Sequence, residues 1–334
     1  MMRAILVKAP GGADQLEMGE FPAPVPADDE VLVEVKATAL NRADIMQREG
    51  KYPPPAGASP ILGLEMAGVV QQVGNACRRA KKGDRVCALL PGGGYAEYVA
   101  VPESMLIPIP ANLSFEEAAG IPEVFMTAYQ ALFWVGNLQP GETVLIHAGA
   151  SGVGTAAIQL AKDAGASVII TAGSDEKTNF CRHLGADYAI NYKTGDFASS
   201  VLDVTENHGV NLVIDVVGAA YWAQNITALG MDGRWVCLAM MGGSKIPDFD
   251  LRHLFRKRIQ LLTTTLRSRS QAYKQDLTQE LVFHLLPKFE KELLKPVIDT
   301  VFSWSDVAEA HRYMEANQNR GKIVLRIEDT ESSM

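Results

Sequence analysis

The densest group of residues with a chemical use is Gly149-Ala150-Ser151-Gly152-Val153-Gly154, which follows the apolar run Val144-Leu-Ile-His-Ala. Glycines between a strand and a helix let the turn tighten and let the backbone approach a pyrophosphate. The exposed amides and dipole of the following helix then stabilise the phosphate charge. Counted as G-x-G-x-x-G from Gly149, the middle position is Ser151 and Gly154 supplies the third glycine. Ser151 either displaces the pyrophosphate or offers its hydroxyl to a phosphate or ribose oxygen. The bland alternative is a tight packing turn. The strand on one side and the helix on the other favour a dinucleotide.

The end of the next strand bears on which dinucleotide. An NAD site expects a carboxylate on the ribose 2′-hydroxyl about 20 residues on. Here the strand ends Ile170-Thr-Ala-Gly173-Ser174, with no acid at its tip. Asp175 follows, but it equally serves the first turn of a helix. Lys177 lies one turn beyond, where an ammonium meets a 2′-phosphate, and Ser174 is placed to donate a hydrogen bond. Tyr192, after the third strand, either stacks beside the adenine or touches the phosphate. The pattern points to NADPH over NADH. The competing reading makes Ser174 an N-cap and Lys177 a solvated lysine.

These residues need elements to hold them. The chain has 334 residues, 47% of them hydrophobic, which is enough for two domains with their own cores. Its 31 basic and 39 acidic residues leave a net charge of −8, which argues against coating a nucleic acid or an anionic membrane. The basic stretch Arg252-His253, Arg256-Lys257-Arg258, Arg267 and Arg269 therefore reads as a solvated helix face or as cofactor-side contacts. Four cysteines, Cys77, Cys87, Cys181 and Cys237, include no pair at metal-knuckle spacing. Neither a structural metal nor a disulfide framework is expected, and a soluble cytoplasmic protein is. The uncharged run Thr143 to Ala161 approaches a membrane span, but its glycines and His147 suit a soluble turn better. His147 itself reads as a satisfied core histidine.

Residues 1 to about 122 look β-rich. Val31 to Lys36 and Gly68 to Val73 alternate with period two, prolines punctuate the connections, and Tyr95 to Val99 is strand-like. Ser114 with Glu117 has capping-box spacing. From Thr143 short apolar strands alternate with amphipathic helices: Thr143 to Ala148, Ala166 to Thr171, Tyr188 to Tyr192, Asn211 to Val217, Arg234 to Leu238, and Ile259 to Thr265. That pattern requires a doubly wound parallel sheet covered on both faces. A helix from about Gln271 to Leu286 closes the region. The tail carries a strand from Val297, a helix from Ser305 to Glu315 with Ser305 as its cap, and a last strand from Gly321. The expected arrangement inserts an α/β domain, 123–290, into a discontinuous β-rich domain of 1–122 and 291–334.

Several runs together resemble the zinc-lacking quinone oxidoreductases of the medium-chain dehydrogenase/reductase superfamily. They are Ala39-Leu-Asn-Arg-Ala-Asp-Ile-Met-Gln-Arg, Ile61-Leu-Gly-Leu-Glu, Leu89-Leu-Pro-Gly-Gly-Gly, the glycine turn through Leu160, Met241-Gly-Gly, Leu266-Arg-Ser-Arg and His311-Arg-Tyr-Met-Glu-Ala-Asn. The resemblance implies a GroES-like catalytic domain and a Rossmann domain with a groove between them. It places the nicotinamide near Asn41, Tyr52, Pro122, Thr127, Met240, Thr265, Leu266 and Arg267. Zinc-dependent relatives carry a cysteine and a histidine where this chain has Asn41 and Leu64, so metal polarisation is not expected. Some members hold the 2′-phosphate with an arginine at the position of Asn317, where this chain offers only an amide. The resemblance further implies a homodimer joined along the edge strand Ile259 to Thr265.

The implied activity is NADPH-dependent reduction of ortho-quinones, by one electron to semiquinones in this family's manner. Asn41 and Tyr52 are then the donors to charge developing on a quinone oxygen. Their structural alternatives are a helix cap for Asn41 and wall packing for Tyr52. Glu65 either braces the site or pairs with Arg42 or Arg85. The rival enzyme is a 2-alkenal or enoyl-thioester reductase, which must also protonate the α-carbon, a task open to Tyr52. The non-enzymatic rival is a cofactor-binding or RNA-binding protein that keeps the fold without turnover.

Overall fold

The computed structural model describes residues 1–247 and 249–328, and internal packing divides them into two units. The first comprises Met1–Met126 with the described residues from Arg267 onward, and the second Thr127–Leu266.

Period-two alternation builds the first unit. Strands β1 (Met2–Val7) and β2 (Leu16–Phe21) form an antiparallel pair. The larger sheet contains β3 (Glu30–Ala39), β4 (Glu65–Val73), β5 (Arg85–Leu89), β6 (Tyr98–Pro102) and β7 (Ile107–Pro108). Strand β3 buries Val31, Val33, Val35 and Ala37 and turns the residues between them outward. It pairs antiparallel with β4 along one edge and with β6 over Glu30 to Glu34. The sequence expectation of a strand at Tyr95 to Val99 moves downstream, because Tyr95 and Ala96 are drawn toward β1 and the ladder on β3 begins at Tyr98. Ser114 and Glu117 do form the capping box of the helix Phe115–Ala119.

Continuous apolar strands build the second unit: β8 (Thr143–Ile146), β9 (Ser167–Ala172), β10 (Tyr188–Asn191), β11 (Val210–Asp215), β12 (Leu229–Cys237) and β13 (Gln260–Thr263). All pair in parallel in the order β10-β9-β8-β11-β12-β13. In chain order this is 3-2-1-4-5-6, the dinucleotide-binding arrangement, in which ligands bind beyond the carboxyl ends where the order reverses. Leu145, Ile169, Val213 and Trp235 centre the core against Phe197 and Val201 of the helix Phe197–Val204. The expected six strands are all present. The run Thr143 to Ala161 is one strand, the glycine turn and most of the helix Gly152–Asp163. No helix among the described residues is long and apolar enough to cross a membrane.

The chain then returns to the first unit. Residues 267–290, expected in the Rossmann part, pack within the first unit instead: Phe289 meets Phe125 edge-on at 4.8 Å, and Gln275 donates to Ser104. The expected single helix here is Gln271–Glu280, a wider π-turn segment and then Leu286–Glu290. Strand β14 (Ile298–Ser303) runs parallel to β15 (Lys322–Arg326), and β15 completes the sheet antiparallel to Ala37–Ala39 of β3. Ser305 is not the cap of the last helix. Ser303 accepts from the Ser305 amide, and a short 3₁₀ turn leads into Val307–Glu315.

Candidate functional site

In the second unit the glycine turn sits at the carboxyl end of β8. Ser151 caps the helix that follows, its Oγ accepting from the Gly154 amide at 3.0 Å. That bond takes the amide at the third helical position. It leaves those of Gly152 and Val153, which no carbonyl within the helix reaches, for an external anion. Gly149 donates to the Thr171 carbonyl at 2.9 Å, which ties the turn to β9. A Cβ on Gly154 would stand 2.4 Å from the Ala148 carbonyl oxygen, so only glycine lets this turn close. The backbone is thus bare and tightly curled where a pyrophosphate would lie, and the donor set fits one.

Gly173, Ser174, Lys177 and Tyr192 come together at the ends of β9 and β10. Ser174 is an N-cap, accepting from the Lys177 amide at 3.2 Å, while its own hydroxyl proton stays available to a ligand. A Cβ on Gly173 would stand 2.8 Å from the Tyr192 hydroxyl, so glycine here admits the phenol against the backbone. The Tyr192 ring also meets Tyr221 at 6.1 Å. Asp175 accepts from Asn191 Nδ2. Elsewhere in this unit the Thr127 hydroxyl is buried with no partner among the described residues, Met240 and Thr265 are exposed, and Leu266 is buried.

His147 lies beneath the turn and serves the core. Its Nδ1 accepts from Thr171 Oγ1 at 2.9 Å, and its Nε2 donates to Asn225 Oδ1 at 2.7 Å. Burial holds its pKa below the usual histidine range, so the ring is neutral. The basic stretch is largely absorbed by local partners. Arg252 pairs with Asp250, Arg258 with Asp232, and Lys257 donates to the carbonyls of Ile226, Thr227 and Leu229.

The first unit holds Asn41, Tyr52, Arg267 and Asn317. Asn317 accepts from Arg42 Nη2. Asn41 precedes the helix Arg42–Arg48, and its amide is committed: Nδ2 donates to Glu65 Oε1 at 2.9 Å, and Oδ1 accepts from Lys322 Nζ at 2.7 Å. Glu65 is fully buried at the start of β4 and pairs with Lys322 of β15 at 2.7 Å, rather than with Arg42 or Arg85. Its other oxygen accepts from the Glu123 amide at 2.8 Å. Asp44 lies beside them, accepting from the amides of Asn41 and Gly63. Burial, only partly offset by those bonds and by Lys322, pushes it up to about 6.

Tyr52 is half-buried, with the Arg267 guanidinium 5.2 Å from its ring centroid. Burial pushes its phenol up, Arg267 opposes that, and Glu123 adds to it. Arg267 is 8% exposed; Nε and Nη2 donate to the Pro91 carbonyl and Nη2 to Gln47 Oε1, while Nη1 is buried with no partner among the described residues. A buried cationic donor left open beside a phenol can receive an anion or developing negative charge. Among the described residues no three His, Cys, Asp or Glu side chains gather as a metal site. Lys322, Asp44 and Glu123 were not anticipated as site residues, and no local spacing in the sequence marks them.

Two family models match the chain: the alcohol dehydrogenase GroES-like domain over residues 27–111 and the zinc-binding dehydrogenase over 152–282. The human synaptic vesicle membrane protein VAT-1 homolog is 32% identical over 342 residues, covering 97% of this chain and 86% of that protein. A phenolphthiocerol/phthiocerol polyketide synthase of Mycobacterium tuberculosis is 32% identical over 324 residues, and the chain spans 14% of its length. Among solved structures, the quinone oxidoreductase of Pseudomonas syringae superposes with a TM-score of 0.87 at 31% identity, covering 98% of this chain and all of that one. The CurK enoyl reductase does so with a TM-score of 0.87 at 29% identity, covering 98% and 99%. A mycobacterial chain complexed with NADPH reaches 0.88 at 28% identity, covering 98% and 100%.

Proposed function

The chain belongs to the medium-chain dehydrogenase/reductase superfamily, as an NAD(P)H-dependent oxidoreductase in which no metal-ligand cluster gathers among the described residues, and on that premise we propose that it reduces carbonyl-conjugated double bonds with NADPH. Its acceptors in this reading are 2-alkenals or enoyl thioesters. The observation that carries it is the Tyr52–Arg267 pair, a phenol beside an open cationic donor. Reduction of a conjugated alkene loads negative charge onto the carbonyl oxygen and then needs a proton at carbon, and this pair suits the first demand. Similarity to polyketide synthase segments and to an enoyl reductase supports the same reading.

NADPH supplies a hydride when bound. The Gly152 and Val153 amides and the bare turn at Gly149 would hold its pyrophosphate, with Ser151 fixing the helix that presents them. Ser174, Lys177 and Tyr192, with Gly173, would hold the 2′-phosphate. Thr127, Met240, Thr265 and Leu266 are assigned to the nicotinamide end, and Arg267 and Tyr52 to the reacting carbonyl. Asn41 acts by keeping Glu65 and Lys322 in place. Its committed amide makes it a positioning residue rather than a free donor. Asn317 sits on Arg42 and contributes little to 2′-phosphate selectivity. The enzyme is a cytoplasmic homodimer joined along β13, whose Leu261 is 42% exposed on an edge strand.

A second reading, ortho-quinone reduction, is supported by similarity to the Pseudomonas quinone oxidoreductase. The test is a steady-state comparison of NADPH and NADH across ortho-quinones, 2-alkenals and enoyl-CoA, with spin detection of one-electron products. Faster NADPH oxidation with an alkenal or enoyl-CoA, and no radical, is the expected result. Faster turnover with quinones would overturn it in favour of the second reading. NADPH binding with no oxidation across the panel would overturn both.

A further inference from the structure

Two carboxyl groups of the first unit share one neighbourhood and have opposite surroundings. Glu65 has no contact with water, yet its oxygens take the Lys322 ammonium at 2.7 Å, Asn41 Nδ2 at 2.9 Å and the Glu123 amide at 2.8 Å. One cation and two further donors engage both of its oxygens. Glu123 grows from the residue whose amide makes the last of those contacts, in the first turn of the helix Pro122–Tyr129. Its own carboxyl takes part in no hydrogen bond or ion pair among the described residues, and the residue keeps partial access to the surface.

We infer that the Glu123 carboxyl delivers the proton that completes the reduction. The inference rests on the reductase reading above. Paired carboxyls whose surroundings push them apart are how one site holds an acid and a base at neutral pH. The groups facing Glu123 are Glu65 of β4, Asp44 of the helix Arg42–Arg48, Lys322 of β15 and Lys274 of the helix Gln271–Glu280, with Tyr52 and Arg267 beside them. Each cation is bound elsewhere: Lys322 to Glu65 and Asn41, Lys274 to the Arg267 carbonyl, Arg267 to Pro91 and Gln47. Burial first, and the Glu65 charge second, push Glu123 up to about 8, so it carries its proton at pH 7. Asp44 is also raised, but both its oxygens are occupied and it is 1% exposed, so it cannot hand a proton out.

In the step, a bound NADPH would supply a hydride to the acceptor's β-carbon, and the electron pair of the double bond would move onto the α-carbon and carbonyl oxygen, where the open Arg267 donor would receive the charge. The Glu123 O–H bond breaks, its proton forms the new bond at the α-carbon, and the carboxylate left behind is reprotonated from water. Tyr52 then orients the acceptor and need not ionise.

Glu123→Gln, Glu123→Asp and wild-type protein should be compared with trans-2-hexenal as probe between pH 6 and 9.5. Wild-type kcat should fall as pH rises through about 8. Glu123→Gln should lose about 10²- to 10⁴-fold in kcat, with NADPH affinity unchanged by fluorescence titration, and Glu123→Asp should recover part of the loss. Infrared difference titration without substrate should show one protonated-carboxyl band lost through about pH 8 and absent in Glu123→Gln. In Glu65→Gln that band should titrate at lower pH. A Glu123→Gln rate close to wild type, or no such band, would overturn the donor role alone. A wild-type protein that binds NADPH but reduces no conjugated acceptor would overturn the reductase reading and the donor role with it.

Discussion

Replacing Lys322 by methionine removes the cation that balances Glu65 while keeping most of the volume. The two side chains are 4% and 0% exposed, so a carboxylate abandoned there does not regain its hydration. Breaking a buried pair on one side costs about 3–5 kcal/mol. Lys322 also donates to the Leu40 carbonyl and to Asn41 Oδ1, and those bonds go with it. Against that, Glu65 keeps the Asn41 amide and the Glu123 N–H, which places the expected loss near the lower end, about 3 kcal/mol. The double variant Lys322→Met with Glu65→Gln removes the stranded charge as well and should recover at least half. Amide hydrogen exchange of peptides from β4 and β15 reads the first unit without interference from unfolding of the second. A single-variant loss below about 1 kcal/mol, or a double variant no better protected than the single, would refute the view of Glu65 as a pinned anion.

Lys177→Ala should weaken NADPH tenfold or more, about 1.4 kcal/mol, and leave NADH nearly unchanged in fluorescence titrations. Equal effects would remove Lys177 from the 2′-phosphate. His311 is fully buried, with Arg48 at Nδ1 and the Tyr95 hydroxyl at Nε2, and burial pushes it down to about 3. A lowered histidine contributes stability that is complete above its unfolded value, about 6.5, and lost as pH falls toward the folded one. In denaturant titrations the difference between wild type and His311→Gln should shrink by about 1.4 kcal/mol per pH unit in that window. The subtraction matters because Asp44 and Glu123, both raised, change stability with the opposite sign over part of the same range. Leu261→Lys should convert a dimer to monomers in light scattering with circular dichroism unchanged, and an unaltered mass would move the interface off β13.

The second unit was legible because its signals are local. Its six apolar strands, its glycine turn and the cap Ser174 are each marked by residues within a few positions of one another, as is the cap Ser114 in the first unit. The first unit was less so. Tyr95 reads as strand by alternation, yet its amide bonds Leu62 and its carbonyl takes the Ile5 amide, partners no local pattern supplies. Residues 267–290 continue the amphipathic texture of the Rossmann helices, and only the identity of what covers their apolar face separates the two units. Glu65 suggested an arginine partner because arginines were near in sequence, while its cation comes from β15. Glu123 carries no motif. Its raised pKa arises from burial first and then from the charge of Glu65, 58 residues away.

The order in which the sheet of the first unit is assembled has a consequence during synthesis. Strand β15 pairs with β3 and brings Lys322, which is 281 residues downstream of Asn41. At about 5–20 residues per second, roughly 15 to 60 s separate their emergence from the ribosome. For that interval Glu65 has no counter-ion, and the edge of β3 at Ala37–Ala39 has no mate. The second unit, contiguous in sequence, can complete its parallel sheet first. A nascent chain of this kind is therefore most exposed to aggregation through the β3 edge, and a chaperone acting on it is needed longest there.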